Sequence, residues 1–111
     1  MNAYTFVDNA HLAIAIPADG LTKQLLLQAA HVRVLGLGFA AGHLLKEHTA
    51  PVDVMLHFVE GEAEVTLGGD HKQVRAGSLI HIPARLQHSV RAVTPVKMLL
   101  VMFPDESAAT P

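Results

Sequence analysis

Apolar and polar residues alternate along short segments over most of this chain, with turn residues between the segments. Val65 and Leu67 alternate with Glu64 and Thr66, a period of two that is typical of a half-buried strand. Val59–Glu62 and Leu67–Asp70 carry the glycines of two hairpins. Short strands continue at roughly even spacing to Phe103. This pattern predicts an all-β sandwich or barrel.

The N-terminal part of the chain follows the pattern less clearly. Asn2–Val7 is interpreted as an edge strand, followed by a turn at Pro17–Gly20. Leu21–Ala30 has helix-favouring composition, but it runs directly into the alternating segment His31–Phe39. We therefore expect two antiparallel strands joined near residues 28–31. Two glycines in the second strand, at positions 36 and 38, permit a bend or a close backbone approach.

Composition narrows the class of protein. A chain of 111 residues predicts one domain, 1–111, with residues 1–20 as an N-terminal extension and 104–111 as a frayed tail. The net charge of −2 indicates no nucleic-acid partner, and no apolar run is long enough to span a membrane. The N-terminus lacks the pattern of a signal peptide and the chain has no cysteine, which favours a cytoplasmic location. Eight histidines are the one clear compositional excess.

Two motifs resemble those of the cupin superfamily, in its small single-domain, RmlC-like branch. The first comprises Gly42, Lys46-Glu47-His48 and Gly61, and the second runs from Gly77 through Pro83 to His88. The resemblance covers roughly Leu25–Phe103 and implies an antiparallel double-stranded β-helix, or jelly-roll, barrel. It does not imply one activity, because cupins include oxygenases, isomerases, storage proteins and ligand sensors.

In metal-binding cupins, two histidines and a glutamate of the first motif and a histidine of the second hold one divalent ion. Here His48 and His88 match the pattern, and Lys46 replaces the first histidine. The position of the glutamate is Asp53 when counted from His48 and Val54 when counted back from Gly61. The resemblance therefore implies one divalent transition metal (Fe, Zn, Ni, Mn or Cu) held by an incomplete ligand set.

Other side chains are candidates to complete this site. His57 and His81 lie on neighbouring predicted strands and would supply missing ligands if they face the barrel interior; otherwise they pack in a core or an interface. Lys46, Asp53 and Arg85 are candidate ligand-pocket residues. Lysine would favour an anionic ligand, and arginine pairs with a carboxylate through two hydrogen bonds.

Two functions remain open from the sequence. One is a metal-dependent enzyme, an oxygenase or isomerase acting on a small organic molecule. The other is a non-catalytic module that binds or senses a small molecule in a metal-free barrel. In both cases we expect a homodimer, because the run Leu25-Leu26-Leu27 requires apolar cover on both sides of a strand.

Overall fold

The computed structural model describes residues 3–104 and is built almost entirely of strands. Within that range there are nine strands and one short helix. The elements, in chain order, are α1 (Ala10–Ala13), β1 (Leu21–Ala29), β2 (Val32–Phe39), β3 (Leu44–His48), β4 (Val54–Glu60), β5 (Glu62–Leu67), β6 (Asp70–Arg75), β7 (Leu79–Ile82), β8 (His88–Ala92) and β9 (Val96–Met102).

The strands form two antiparallel sheets. One has the order β1-β2-β9-β4-β7 and the other the order β3-β8-β5-β6. Neighbours in the sheets are far apart in sequence, as in the pairing of β2 with β9 and of β3 with β8. This topology confirms the predicted double-stranded β-helix, and the four-residue helix agrees with the expectation of little helix.

Side-chain alternation places the core between the sheets. In β4, Val54, Leu56 and Phe58 are buried, whereas Met55 and His57 lie on the opposite, outer face. Both sheets supply buried residues to one apolar cluster: Leu37, Phe39, Val54, Leu56, Phe58, Ala63, Val65, Val74, Ile82, Val90, Ala92, Val96 and Met98. The alternation seen in the sequence therefore corresponds to residues that point alternately into the core and onto the outer face of the sheet.

The N-terminal extension differs from its prediction. The edge strand expected at Asn2–Val7 is wrong for its described residues, since 3–7 form no strand. The extension instead crosses the outer face of β2, where the Ile14 side chain is buried at 2% exposure. A Cβ atom on Gly36 would lie 2.7 Å from Ile14 Cγ1, and one on Gly38 would lie 1.8 Å from the Ala15 carbonyl oxygen. The two glycines are thus required for close approach, as the sequence indicated.

The predicted junction between the first two strands is confirmed at Ala30-His31. No helix within residues 3–104 is long and apolar enough to cross a membrane. The tail expected to fray, 104–111, lies outside the described residues except for Pro104.

Candidate functional site

His48 and His88 are paired directly across β3 and β8. Their ring centroids are 4.3 Å apart and the ring planes are tilted by 58°. His88 shares a face with the buried Val90 and Ala92 and is itself only 4% exposed, whereas His48 lies on the edge strand β3 and is exposed. The structure therefore brings together the two histidines that match the family motifs.

The backbone orients both imidazoles in the same way. His48 Nδ1 lies 2.8 Å from the Lys46 carbonyl oxygen, and His88 Nδ1 lies 2.9 Å from the Leu86 carbonyl oxygen. A carbonyl oxygen only accepts, so each Nδ1–H is the donor and each neutral ring keeps a lone pair on Nε2. A hydrogen bond of this kind on the far ring nitrogen is the usual support for a histidine that binds a metal.

Burial favours the neutral form of His88. Desolvation among the aliphatic residues lowers its pKa from the ordinary histidine value, and the hydrogen bond to the Leu86 carbonyl partly opposes this. Positive charge on the neighbouring His48 lowers the pKa of His88 further. The neutral imidazole is the form that ligates metals or accepts a proton from a ligand.

The remaining positions of the family's ligand set carry no donor into the barrel. Val54 is buried and begins β4, so the position counted back from Gly61 is apolar. Lys46 is exposed, at a β-bulge between Leu45 and His48. Within residues 3–104, no three histidine, aspartate or glutamate side chains form a group that could hold a metal. His48 and His88 are thus the two imidazoles of the family's ligand set that the described residues bring together.

The other candidate residues lie away from this pair. His57 is on the outer face of β4, half-buried. His81 is also on the outer side, next to the buried Ile82, and its Nε2 donates a hydrogen bond to Asp53 Oδ2 at 2.9 Å. The structure does not bring His57 or His81 together with His48 and His88.

Asp53 is fixed by two hydrogen bonds. Its Oδ2 accepts from His81, and its Oδ1 accepts from the backbone N–H of Ala84 at 3.0 Å. The bond from His81 and then the bond from Ala84 lower the pKa of the Asp53 carboxyl group. Asp53 therefore acts as the anchor of an outer aspartate–histidine pair.

This outer pair opens onto a cavity of about 540 Å³ that also includes Arg85. Sequence reasoning missed the pairing of Asp53 with His81 and the contribution of Phe103 to the cavity. The register of β4 against β7, which sets Met55 opposite His81, is the signal that locates the pair. This register is a long-range feature, so local periodicity does not reveal it.

The two curled sheets and the inward histidine at the second motif define a barrel protein of the double-stranded β-helix class. A protein-family model described as a cupin domain matches residues 37–102, more than half of the chain. This protein belongs to the cupin family.

Comparisons of structure agree with this assignment. A conserved protein of unknown function from Streptococcus pyogenes is 26% identical, with a TM-score of 0.80 over 94% of this chain and 92% of that one. A cupin superfamily protein from Desulfitobacterium hafniense is 21% identical, with a TM-score of 0.80 over 95% of each chain. An RmlC-like cupin from Shewanella frigidimarina is 20% identical, with a TM-score of 0.76 over 99% and 97%. A search of curated proteins found no match.

Proposed function

We propose that this cupin binds a small molecule at the His48–His88 pair, with one divalent transition metal shared between the two Nε2 atoms. The observation that carries the proposal is that both Nδ1 atoms are bound to backbone carbonyls while the rings stand 4.3 Å apart. This arrangement leaves the Nε2 lone pair of each neutral ring available to a metal or a ligand.

Only two protein donors support the metal, so we expect weak retention by the protein alone. A metal held by three or four side chains is a closed or nearly closed site, whereas two imidazoles leave most coordination positions to other donors. When bound, a divalent metal would supply Lewis-acid polarisation of an oxygen or nitrogen of the ligand. The chain's own contribution is to orient the imidazoles and to surround them with apolar residues.

The surroundings of the histidines favour a ligand with an apolar body and one polar end. Leu67 lies directly opposite His88 in β5, and Val54 and Leu86 pack against the same core. Burial of apolar ligand surface against these side chains would supply affinity, and the imidazoles would fix the polar end. The cytoplasmic location stays a prediction from the sequence.

The test is a metal titration with matched histidine variants. We would purify the protein without a chelating column, measure its metal content by elemental analysis, and titrate Zn²⁺ and Ni²⁺ by calorimetry. The double variant His48→Ala/His88→Ala should lose binding. The control His57→Ala/His81→Ala removes the same number of imidazoles from the outer face and should bind as the parent does. Equal loss in both variants, or binding retained without His48 and His88, would contradict the proposal.

A metal-free sensing module is the second candidate, and Val54 is the observation that favours it. Counted back from Gly61, Val54 stands where metal-binding cupins carry glutamate, and an apolar side chain there removes the anionic ligand that compensates the charge of the cation. In that case neither metal binds, but native mass spectrometry of the freshly purified protein detects a small organic molecule that His48→Ala/His88→Ala does not retain.

A further inference from the structure

The cavity that contains Asp53, His81 and Arg85 lies on the outer side of the barrel, beside the β4–β7 edge, and neither His48 nor His88 lines it. It measures about 540 Å³, within the range of small-molecule sites. Its lining combines apolar and ionisable residues: Pro51, Val52, Asp53, His81, Ala84, Arg85 and Phe103. The backbone N–H of Phe103 donates to the Asp53 carbonyl oxygen at 3.1 Å, which joins two walls of the cavity.

Both carboxylate oxygens of Asp53 already accept hydrogen bonds within this cavity. One carboxylate oxygen accepts from Ala84 and the other from His81, so the carboxylate holds the loop and the imidazole in place. Because His81 donates through Nε2, its Nδ1 remains available to a ligand. Asp53 is thus a positioning residue for the loop and the imidazole, and within residues 3–104 no ion pair joins it to Arg85.

Arg85 occupies a backbone conformation that disfavours its side chain. Its φ of 71° lies in the left-handed region, and it is the one non-glycine residue with positive φ among residues 3–104. Its backbone N–H donates to the Ala50 carbonyl oxygen at 2.8 Å, which fixes the conformation. The guanidinium group has no hydrogen bond or ion pair within the described part of the chain. Such a conformation costs free energy and persists only where the surrounding structure fixes it, and residues of this kind cluster at functional sites.

We infer that this outer cavity is a binding site for a small organic carboxylate. The Arg85 guanidinium pairs with the carboxylate through two N–H···O bonds, a geometry that lysine cannot reproduce. Val52 and Phe103 cover the apolar body of the ligand. The site is separate from the barrel histidines, so it does not depend on the function proposed for them.

The experiment follows backbone amide signals by NMR during titration with benzoate and with isovalerate. The signals of Ala84 and Arg85 should shift with a Kd of about 1 mM or tighter. Benzamide, which keeps the ring but lacks the charge, should leave them unchanged. Arg85→Gly should weaken carboxylate binding ~10-fold or more, since a charge-assisted pair is lost. His48→Ala/His88→Ala should bind carboxylate as the parent does.

Arg85→Gly carries its own control for folding. Glycine adopts positive φ without steric cost, so this variant should unfold at a higher temperature than the parent while it loses the carboxylate. Loss of binding then cannot be attributed to loss of structure. The inference is overturned if neither carboxylate shifts these signals, if benzamide binds equally well, or if Arg85→Gly binds as the parent does. It is also overturned if the barrel double variant abolishes binding, which would place the carboxylate inside the barrel.

Discussion

His88 is an ionisable side chain in an aliphatic environment, and its protonation is coupled to the stability of the fold. Burial holds its pKa in the folded protein below the value of an unfolded histidine. As the pH falls through about 6.5, the unfolded chain therefore takes up a proton that the folded chain does not. The free energy of unfolding therefore decreases from this pH down to the lower pKa of His88 in the folded state. Below that pKa both states are protonated, and His88 no longer contributes to the pH dependence.

We expect the free energy of unfolding of the chelator-treated protein to fall as the pH is lowered through about 6.5, the ordinary histidine pKa. Denaturant titrations at several pH values would measure it. In His88→Gln this part of the pH dependence should be absent, and in His57→Gln, altered on the outer face, it should remain. If the free energy of unfolding changes with pH in the same way in the parent and in His88→Gln, burial of His88 does not govern the stability change.

At the scale of elements, the N-terminal extension is held on β2 by contacts that leave no room for a side chain. The Thr22 hydroxyl of β1 donates to the Ala15 carbonyl oxygen at 2.7 Å, and the Ala15 N–H donates to Gln24 Oε1 at 3.3 Å. The same Ala15 oxygen lies where a Cβ atom on Gly38 would be. Strand β2 thus supports the extension on its outer face and the core on its inner face.

Gly38→Ala should destabilise the protein by about 1–3 kcal/mol, because the Ala15 backbone must move away from β2. Gly69→Ala is the matched control, since nothing lies within 4 Å of a Cβ atom there. Denaturant unfolding would compare the two variants, and limited proteolysis would show whether the extension is released. Equal stability of both variants would mean that the extension does not need the close contact.

The strands and their core faces could be predicted because the physical signal is local. In β4 and β5 the buried residues alternate with less buried ones, so periodicity alone identifies strand and inner face. The N-terminal extension could not be predicted in this way, because Ile14 is not part of an alternating strand. It is buried by its contact with Gly36 of β2, which is distant in sequence.

The candidate site likewise contains residues that could be predicted from local sequence and residues that could not. His48 and His88 were found through motif positions, and their pairing across β3 and β8 follows from the fold. The face of His57 and His81 was left open by the sequence, because parity depends on where a bulge lies. The partner of Asp53 depends on the register between β4 and β7, which only long-range packing sets.

At the scale of the whole molecule, apolar side chains are concentrated at one edge of the five-stranded sheet. Strand β1 forms that edge, and Leu25 on it is 52% exposed. Tyr4, Phe6 and Leu12 of the N-terminal extension are still more exposed. Leu26 and Leu27 line a groove together with Tyr4 and Phe6, so the extension supplies part of the cover that this edge requires. Leu25 and the outer sides of the aromatic rings remain in contact with solvent.

We therefore expect a homodimer in which this edge, defined by Tyr4, Phe6 and Leu25, packs against the same edge of a second copy. Removing these apolar surfaces from water would stabilise the pair, and a two-fold arrangement would pair both exposed edges at once.

Light scattering at micromolar concentration should give twice the mass of one chain. Phe6→Ser/Leu25→Ser should shift the protein to the monomer. Leu79→Ser is the matched control, because Leu79 is similarly exposed but lies on β7 at the opposite edge of the same sheet. A monomeric parent would contradict the dimer, and dissociation caused by Leu79→Ser would move the interface to the other edge.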